Sequence, residues 1–212
     1  MAELQVEDPH ATPRVVSILS SLLERVAEHN DRRGTKRKEP PAASAASAFQ
    51  GLSKPAISLR TYLERIFRYA NCSPSCYVVA YIYLDRFARR HPSVLMDSFN
   101  VHRFLITSVL TAVKFMDDIY YNNAYFAKVG GISLMEMNYL EVDFLFGVGF
   151  ELNVTPVVFA SYCSILQSEM YSECLPPPPP RMPCSSSEED SSSCQQKQLA
   201  VREVFGTLMN DR

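Results

Sequence analysis

Glycine is scarce in this chain, seven residues in 212, and nowhere do the glycines gather into a loop able to cradle a phosphate. The strings His-Glu-x-x-His and Gly-x-Ser-x-Gly are both missing, which removes two common signatures of hydrolytic chemistry. No Cys-x-x-Cys pair exists. Cys72 and Cys76 stand four apart, Cys163, Cys174, Cys184 and Cys194 are spread, and His10, His29, His91 and His102 do not join them. That spacing does not suit a zinc site. A catalytic thiol needs an activating base beside it, and the sequence nominates none, so reduced and largely buried thiols are expected.

Charge of one sign is also missing. The net charge is −2 and the isoelectric point about 6.1, so no global field draws nucleic acid or an anionic membrane. The longest apolar run, Tyr77 to Leu84, falls far short of the roughly 18 residues that span a bilayer. Met1 to Asp8 is acidic and lacks the charged-then-apolar pattern of a secretion signal. The expectation is a soluble intracellular protein of the nucleus or cytoplasm, with no cofactor, metal, direct nucleic-acid contact or membrane partner.

What the chain does have is apolar residues at helical spacing. Thr12-Pro13 is a start signal, and Val15, Val16, Ile18, Leu19, Leu22, Leu23 and Val26 form one face of a helix through about His29. Ser58 caps a second helix to about Tyr69, with Leu59, Tyr62, Leu63, Ile66 and Phe67 on one face. Ser73 and Pro74 open a third, to about Arg90. Asn100 opens a fourth, about Val101 to Met116, which is apolar nearly all round and so belongs at the centre of a bundle. A shorter helix, about Asn123 to Val129, stops at Gly130-Gly131. Ser133 and Glu136 read as a capping box for the next, to about Phe146, whose stripe is Leu134, Met137, Leu140, Phe144 and Leu145. Thr155-Pro156 opens the last, to about Met170. No period-two strand pattern occurs, so the expected fold is all-α.

The domain plan is an N-terminal extension (1–30) whose helix packs on the core, a disordered linker (31–54), a helical core (55–171) and a Pro/Ser-rich, mostly disordered tail (172–212) with a short helix over 196–209. In the linker, Arg32, Arg33, Lys36, Arg37 and Lys38 read equally as a nuclear-import signal or as a solvated run. In the tail, Pro176 to Pro180 reads as a spacer. Ser185, Ser186 and Ser187 each have an acidic residue three positions on, which suits an acid-directed kinase.

A few charges sit where a core is expected. Asp85-Arg86 lies inside the apolar string Ala80 to Phe87, and buried charge must find a partner, so an internal ion pair is expected. Lys114 interrupts the fourth helix and Glu141 the apolar half of the sixth. Each either snorkels to water from a helix rim or serves a partner. Asp117-Asp118 reads as a solvated helix end or as a pair of metal ligands.

These residues together resemble a known family. Tyr83-Leu84-Asp85-Arg86-Phe87, Ala112-Val113-Lys114-Phe115, and Leu140-Glu141 followed nine residues later by Phe150 are similar to the cyclin box. Val101 to Thr107, Ala127 to Gly131 and Leu140 to Leu145 resemble the plant P-type (U-type) cyclins, which are related to the fungal phosphate-signalling cyclins. The resemblance covers about Thr12 to Met170, linker aside. It implies a single five-helix cyclin box with one added helix at each end. It also implies a non-catalytic subunit that forms a heterodimer with a cyclin-dependent kinase and activates it, in cell division or nutrient signalling.

By matching position, the Lys and Glu that hydrogen-bond the kinase backbone in such cyclins fall on Lys114 and Glu141, with Phe115 and Phe150 as apolar neighbours. A buried Arg–Asp pair between the first two box helices maps onto Arg60 and Asp85. The sequence departs from cell-cycle cyclins at their Met-Arg-Ala-Ile-Leu docking string and its nearby tryptophan. Here the stretch is Leu59-Arg60-Thr61-Tyr62-Leu63, Ile66 stands for the tryptophan, and the chain has none. Substrate docking through that patch is therefore unsupported, as are a second helical repeat and a destruction box. The rival expectation is an all-α interaction scaffold of the same fold that acts without activating a kinase. An independent enzyme ranks third, because no set of residues meets the requirements of a catalytic site.

Overall fold

Seven helices and no strands make up the described residues, 13–34 and 48–174, of a computed structural model. The expected all-α class holds. They are α1 (Arg14–Gly34), α2 (Leu59–Ala70), α3 (Pro74–Arg90), α4 (Val101–Met116), α5 (Asn123–Gly130), α6 (Leu134–Gly147) and α7 (Pro156–Cys174). Thr12, Lys36 to Lys38, the five-proline run, the serines at 185–187 and the helix expected over 196–209 lie outside the described residues.

Local chemistry sets most of the ends. Ser58 accepts a hydrogen bond from the Thr61 N–H at 3.1 Å, and α2 closes on Asn71 in the left-handed region (φ 49°). Asn122 caps α5, which closes on Gly131 (φ 71°). Ser133 caps α6 through the Glu136 N–H at 3.1 Å. The reciprocal half of the expected capping box is absent, because the Glu136 carboxylate instead takes Arg103 Nε at 2.7 Å. Ser73 and Asn100 occupy cap positions without capping. The Ser73 hydroxyl meets the Cys76 thiol, and the Asn100 side chain ties Leu95 O and Asp97 N–H within the loop before α4.

α4 is the hub, packed against α2, α3, α5 and α6, and every side chain from Phe104 to Val113 is buried. α3 is nearly as deep, with Cys76 to Asp85, Phe87 and Ala88 all buried. α1 lays Val16, Leu19, Leu22, Leu23 and Val26 on α2 and α3, and α7 covers α1 and α3. Burying each such side chain contributes roughly 1.5–3 kcal/mol.

The linker expected over 31–54 is wrong at both ends. α1 runs past His29 to Gly34, because Asn30 Nδ2 donates to Met96 O at 3.0 Å and Asp31 Oδ1 accepts from the Ser98 N–H at 3.0 Å. At the other end Phe49 is wholly buried. It stacks on Phe104 with centroids 4.0 Å apart and meets Phe87 and Phe144 edge-on. Gly51 donates to Phe99 O at 3.1 Å, where a Cβ would come within 2.5 Å of that oxygen.

Candidate functional site

α6 is apolar on two faces. Met137, Leu140 and Phe144 point into the core. Met135, Tyr139, Val142 and Phe146 recur at four, three and four residues along the opposite side, and all are exposed. An exposed apolar stripe of this kind marks a surface that another molecule covers. Phe115 (49% exposed) and Met116 at the end of α4 are exposed too, and Phe150 (57%), just past α6, meets Phe146 of the stripe.

Between the two faces of α6 lies Glu141, and Lys114 reaches it from the last turn of α4. Lys114 Nζ donates to Glu141 Oε1 at 2.6 Å, with side chains 29% and 15% exposed. The two intrusive charges of the sequence therefore meet, 27 residues apart in the chain, at the margin of the apolar stripe. The other carboxylate oxygen, Oε2, accepts from Asn123 Nδ2 at 2.6 Å, and the same amide donates to Asn138 Oδ1 at 2.8 Å. Asn123 was not legible as a site residue, since a single asparagine at a helix start reads as a cap. The outer stripe of α6 was legible, at 135, 139, 142 and 146, but the core stripe obscured it.

Phe150 is held in an unusual way. Its backbone is left-handed (φ 58°), and its N–H donates to Leu145 O at 2.9 Å as the chain turns off α6. Its ring meets Phe146 edge-on at 5.2 Å. The segment that follows is clamped to α3: Tyr83 OH donates to Leu152 O at 2.7 Å, and Arg86 donates to Glu151 O and Asn153 O. Arg90 pairs with Glu151 at 2.6 Å. Strain of this kind persists only where surrounding contacts over-determine it, and here it presents an aromatic ring to solvent.

The Arg60–Asp85 pair does not form. α2 packs mainly on α1, α4 and α5, and Arg60 points away from the core face of α2, where it pairs with Glu64 at 3.1 Å in solvent. Asp85 is 1% exposed, accepts from Arg89 Nε one turn along α3 at 2.8 Å, and receives the Tyr162 hydroxyl from α7. Arg86, its neighbour in sequence, serves the 151–153 segment instead. Burial pushes the Asp85 carboxyl above the ordinary range, opposed by the Tyr162 hydrogen bond and by Arg89.

Among the described thiols, the hydrogen bond with Cys76 holds Cys72 below its usual range, against the burial that raises it. The hydrogen bond with Cys72, then burial, hold the Cys76 thiol far above its usual range. Among the described residues no cluster of three or more His, Cys, Asp or Glu could hold a metal ion, and the Asp117 carboxylate accepts from the Ser73 hydroxyl and the Cys76 thiol. Nor is any described helix long and apolar enough to cross a membrane.

The cyclin family model matches residues 13–152 of this chain, which takes in α1 to α6 and Phe150. Cyclin-P4-1 of Oryza sativa subsp. japonica is 74% identical over 164 residues, 77% of each chain. Cyclin-U4-1 of Arabidopsis thaliana is 62% identical over 170 residues, 80% of this chain and 82% of that one. Cyclin-U1-1 of Arabidopsis thaliana is 44% identical over 160 residues, 76% of this chain and 75% of that one. With a family model across most of its length and relatives of this identity, the chain belongs to the cyclin family, as a plant P/U-type cyclin with a regulatory rather than catalytic role.

Proposed function

We propose that this cyclin binds a cyclin-dependent kinase as a heterodimer and activates it through the face built by α4, α6 and Phe150. The observation that carries the reading is the Lys114–Glu141 contact at 2.6 Å beside an exposed apolar stripe. An ion pair at the edge of an apolar face supplies donors and acceptors that fix orientation, while the apolar residues supply area. Phe115, next to Lys114 in the chain, and Phe150, whose ring meets Phe146, serve as apolar anchors of this face.

Activation follows from holding the kinase in one shape. A protein kinase works only when its strand lysine and its regulatory-helix glutamate are paired, and a partner that keeps that helix inward completes the pair. Moving an inactive kinase from 1:99 to 99:1 needs about 5.5 kcal/mol of preference for the active shape. An interface of roughly 2,000 Å² with a few buried anchors can supply that preference. The process served, cell division or nutrient signalling, depends on which kinase is bound.

The test is direct. The purified chain is added to a purified plant cyclin-dependent kinase, and complex formation and phosphate transfer to a peptide are measured together. A complex with stimulated transfer is expected. A complex without stimulation, or no complex with any such kinase, would end the activation reading and select the scaffold one.

A further inference from the structure

We infer that Asn123 is a positioning residue of this docking face, holding the Glu141 carboxylate in the orientation that meets the bound partner. The inference rests on the kinase-docking reading above and assigns a role to a residue outside the Lys114–Glu141 pair.

Asn123 is the first residue of α5, yet it has no capping duty. Asn122 already accepts the Tyr125 N–H at 3.0 Å, which leaves the next asparagine to reach across to α6. There its amide nitrogen meets Glu141 Oε2 at 2.6 Å and Asn138 Oδ1 at 2.8 Å. An ionised Glu141 carboxylate can only accept, so the amide has one sensible orientation; turned over, oxygen would face oxygen. With the nitrogen so committed, Asn123 Oδ1 is buried and meets no donor among the described residues. A buried acceptor in that state costs stability, and the two contacts of the amide nitrogen offset that cost.

The geometry also explains why Glu141 needs a second holder. Lysine is a point charge on a flexible stem and tolerates many carboxylate orientations. With Oε1 taken by Lys114 and Oε2 by Asn123, the carboxylate plane is held from both sides before any partner arrives. Such preorganisation lowers the ordering cost of binding. Once a partner covers the face and water leaves, each of these hydrogen bonds strengthens.

The experiment measures binding of the full-length chain to a purified cyclin-dependent kinase that the wild type activates. Asn123→Ala is expected to weaken binding by about ten- to a hundredfold, mostly through faster dissociation, with thermal unfolding nearly unchanged. Asn123→Asp keeps the size and an acceptor but deletes the donor and sets a second negative charge beside Glu141. It should bind no better than the alanine variant. In an Asn123→Ala, Glu141→Gln double-mutant cycle the two losses should be less than additive, since one acts partly through the other. Wild-type binding by Asn123→Ala, while Lys114→Ala and Glu141→Ala fail, overturns the inference and leaves the docking reading standing. Restored binding in Asn123→Asp, or fully additive losses, overturns the holding role. Wild-type binding by all three alanine variants removes the docking reading, and the inference with it.

Discussion

Tyr162 on α7 donates its hydroxyl hydrogen bond to the Asp85 carboxylate on α3, to the same oxygen that Arg89 Nε reaches at 2.8 Å. Beside the Arg25–Glu169 pair, this contact pins α7 to the centre of the box, since Asp85 is buried and α7 otherwise buries only Ile165 and Leu166 among its described side chains. Tyr162→Phe leaves the packing and deletes a hydrogen bond to a charged group, so it should cost about 1.5–3 kcal/mol in urea unfolding.

The same carboxylate makes stability depend on pH. Its folded pKa is raised above the ordinary aspartate value of 3.8, with burial as the main cause. The folded chain therefore holds the proton more tightly than the unfolded chain does. The contribution is fully present below 3.8 and is lost as pH rises through the folded value. Urea melts of wild type and Asp85→Asn between about pH 3.5 and 8 should show the wild type losing ground to the variant as pH rises. A difference that moves the other way would show that hydrogen bonds, rather than burial, dominate at Asp85.

Lys114→Ala and Glu141→Ala should each cost about 2–5 kcal/mol of kinase affinity, because each strands a charge that the partner then buries. Folding should change little. The pair is partly solvated, at 29% and 15% exposure, and such a pair contributes at most about 1 kcal/mol. Titration calorimetry against the kinase, with thermal melts of the free chain, separates the two effects. Kinase capture by both variants at wild-type affinity would defeat the assignment.

Phe150 sets stability against binding. Glycine adopts φ 58° without the clash of a Cβ, so Phe150→Gly should stabilise the isolated chain by about 1 kcal/mol. It should also weaken the kinase complex, because a half-exposed ring is deleted from the docking face. If both stability and binding fall, the ring's contact with Phe146 matters more than its backbone strain.

Gly147 marks where α6 leans on α3. A Cβ there would lie 2.1 Å from Phe87 Cε2, and Phe87 is buried against Phe49, Phe104 and Phe144 with no room to retreat. Gly147→Ala should therefore cost about 1–3 kcal/mol, and it should weaken kinase binding as well by displacing Phe150. Gly130→Ala, where the nearest atom is Ile106 Cγ1 at 3.1 Å, serves as the milder control. Equal melting points for the two variants would show that α6 yields at this crossing.

The helices themselves were readable in the amino-acid string because their causes are local. Caps at Ser58 and Ser133, the stop at Gly131 and the period of α4 all act within a turn or two. Lys114 and Glu141 were conspicuous for the same reason, each being a charge where its own helix wanted an apolar residue. The partner that each side chain meets was decided only by tertiary structure, because that depends on how helices rotate and pack across tens of residues. Asp85 takes Tyr162 from α7 rather than Arg60, since α2 turns Arg60 to solvent. Phe49 fills the core from a stretch with no periodicity, and Asn123 closes on Glu141 only because α5 begins beside α6. One-dimensional pattern determined which segments coil and which charges are out of place; three-dimensional packing determined what those charges touch.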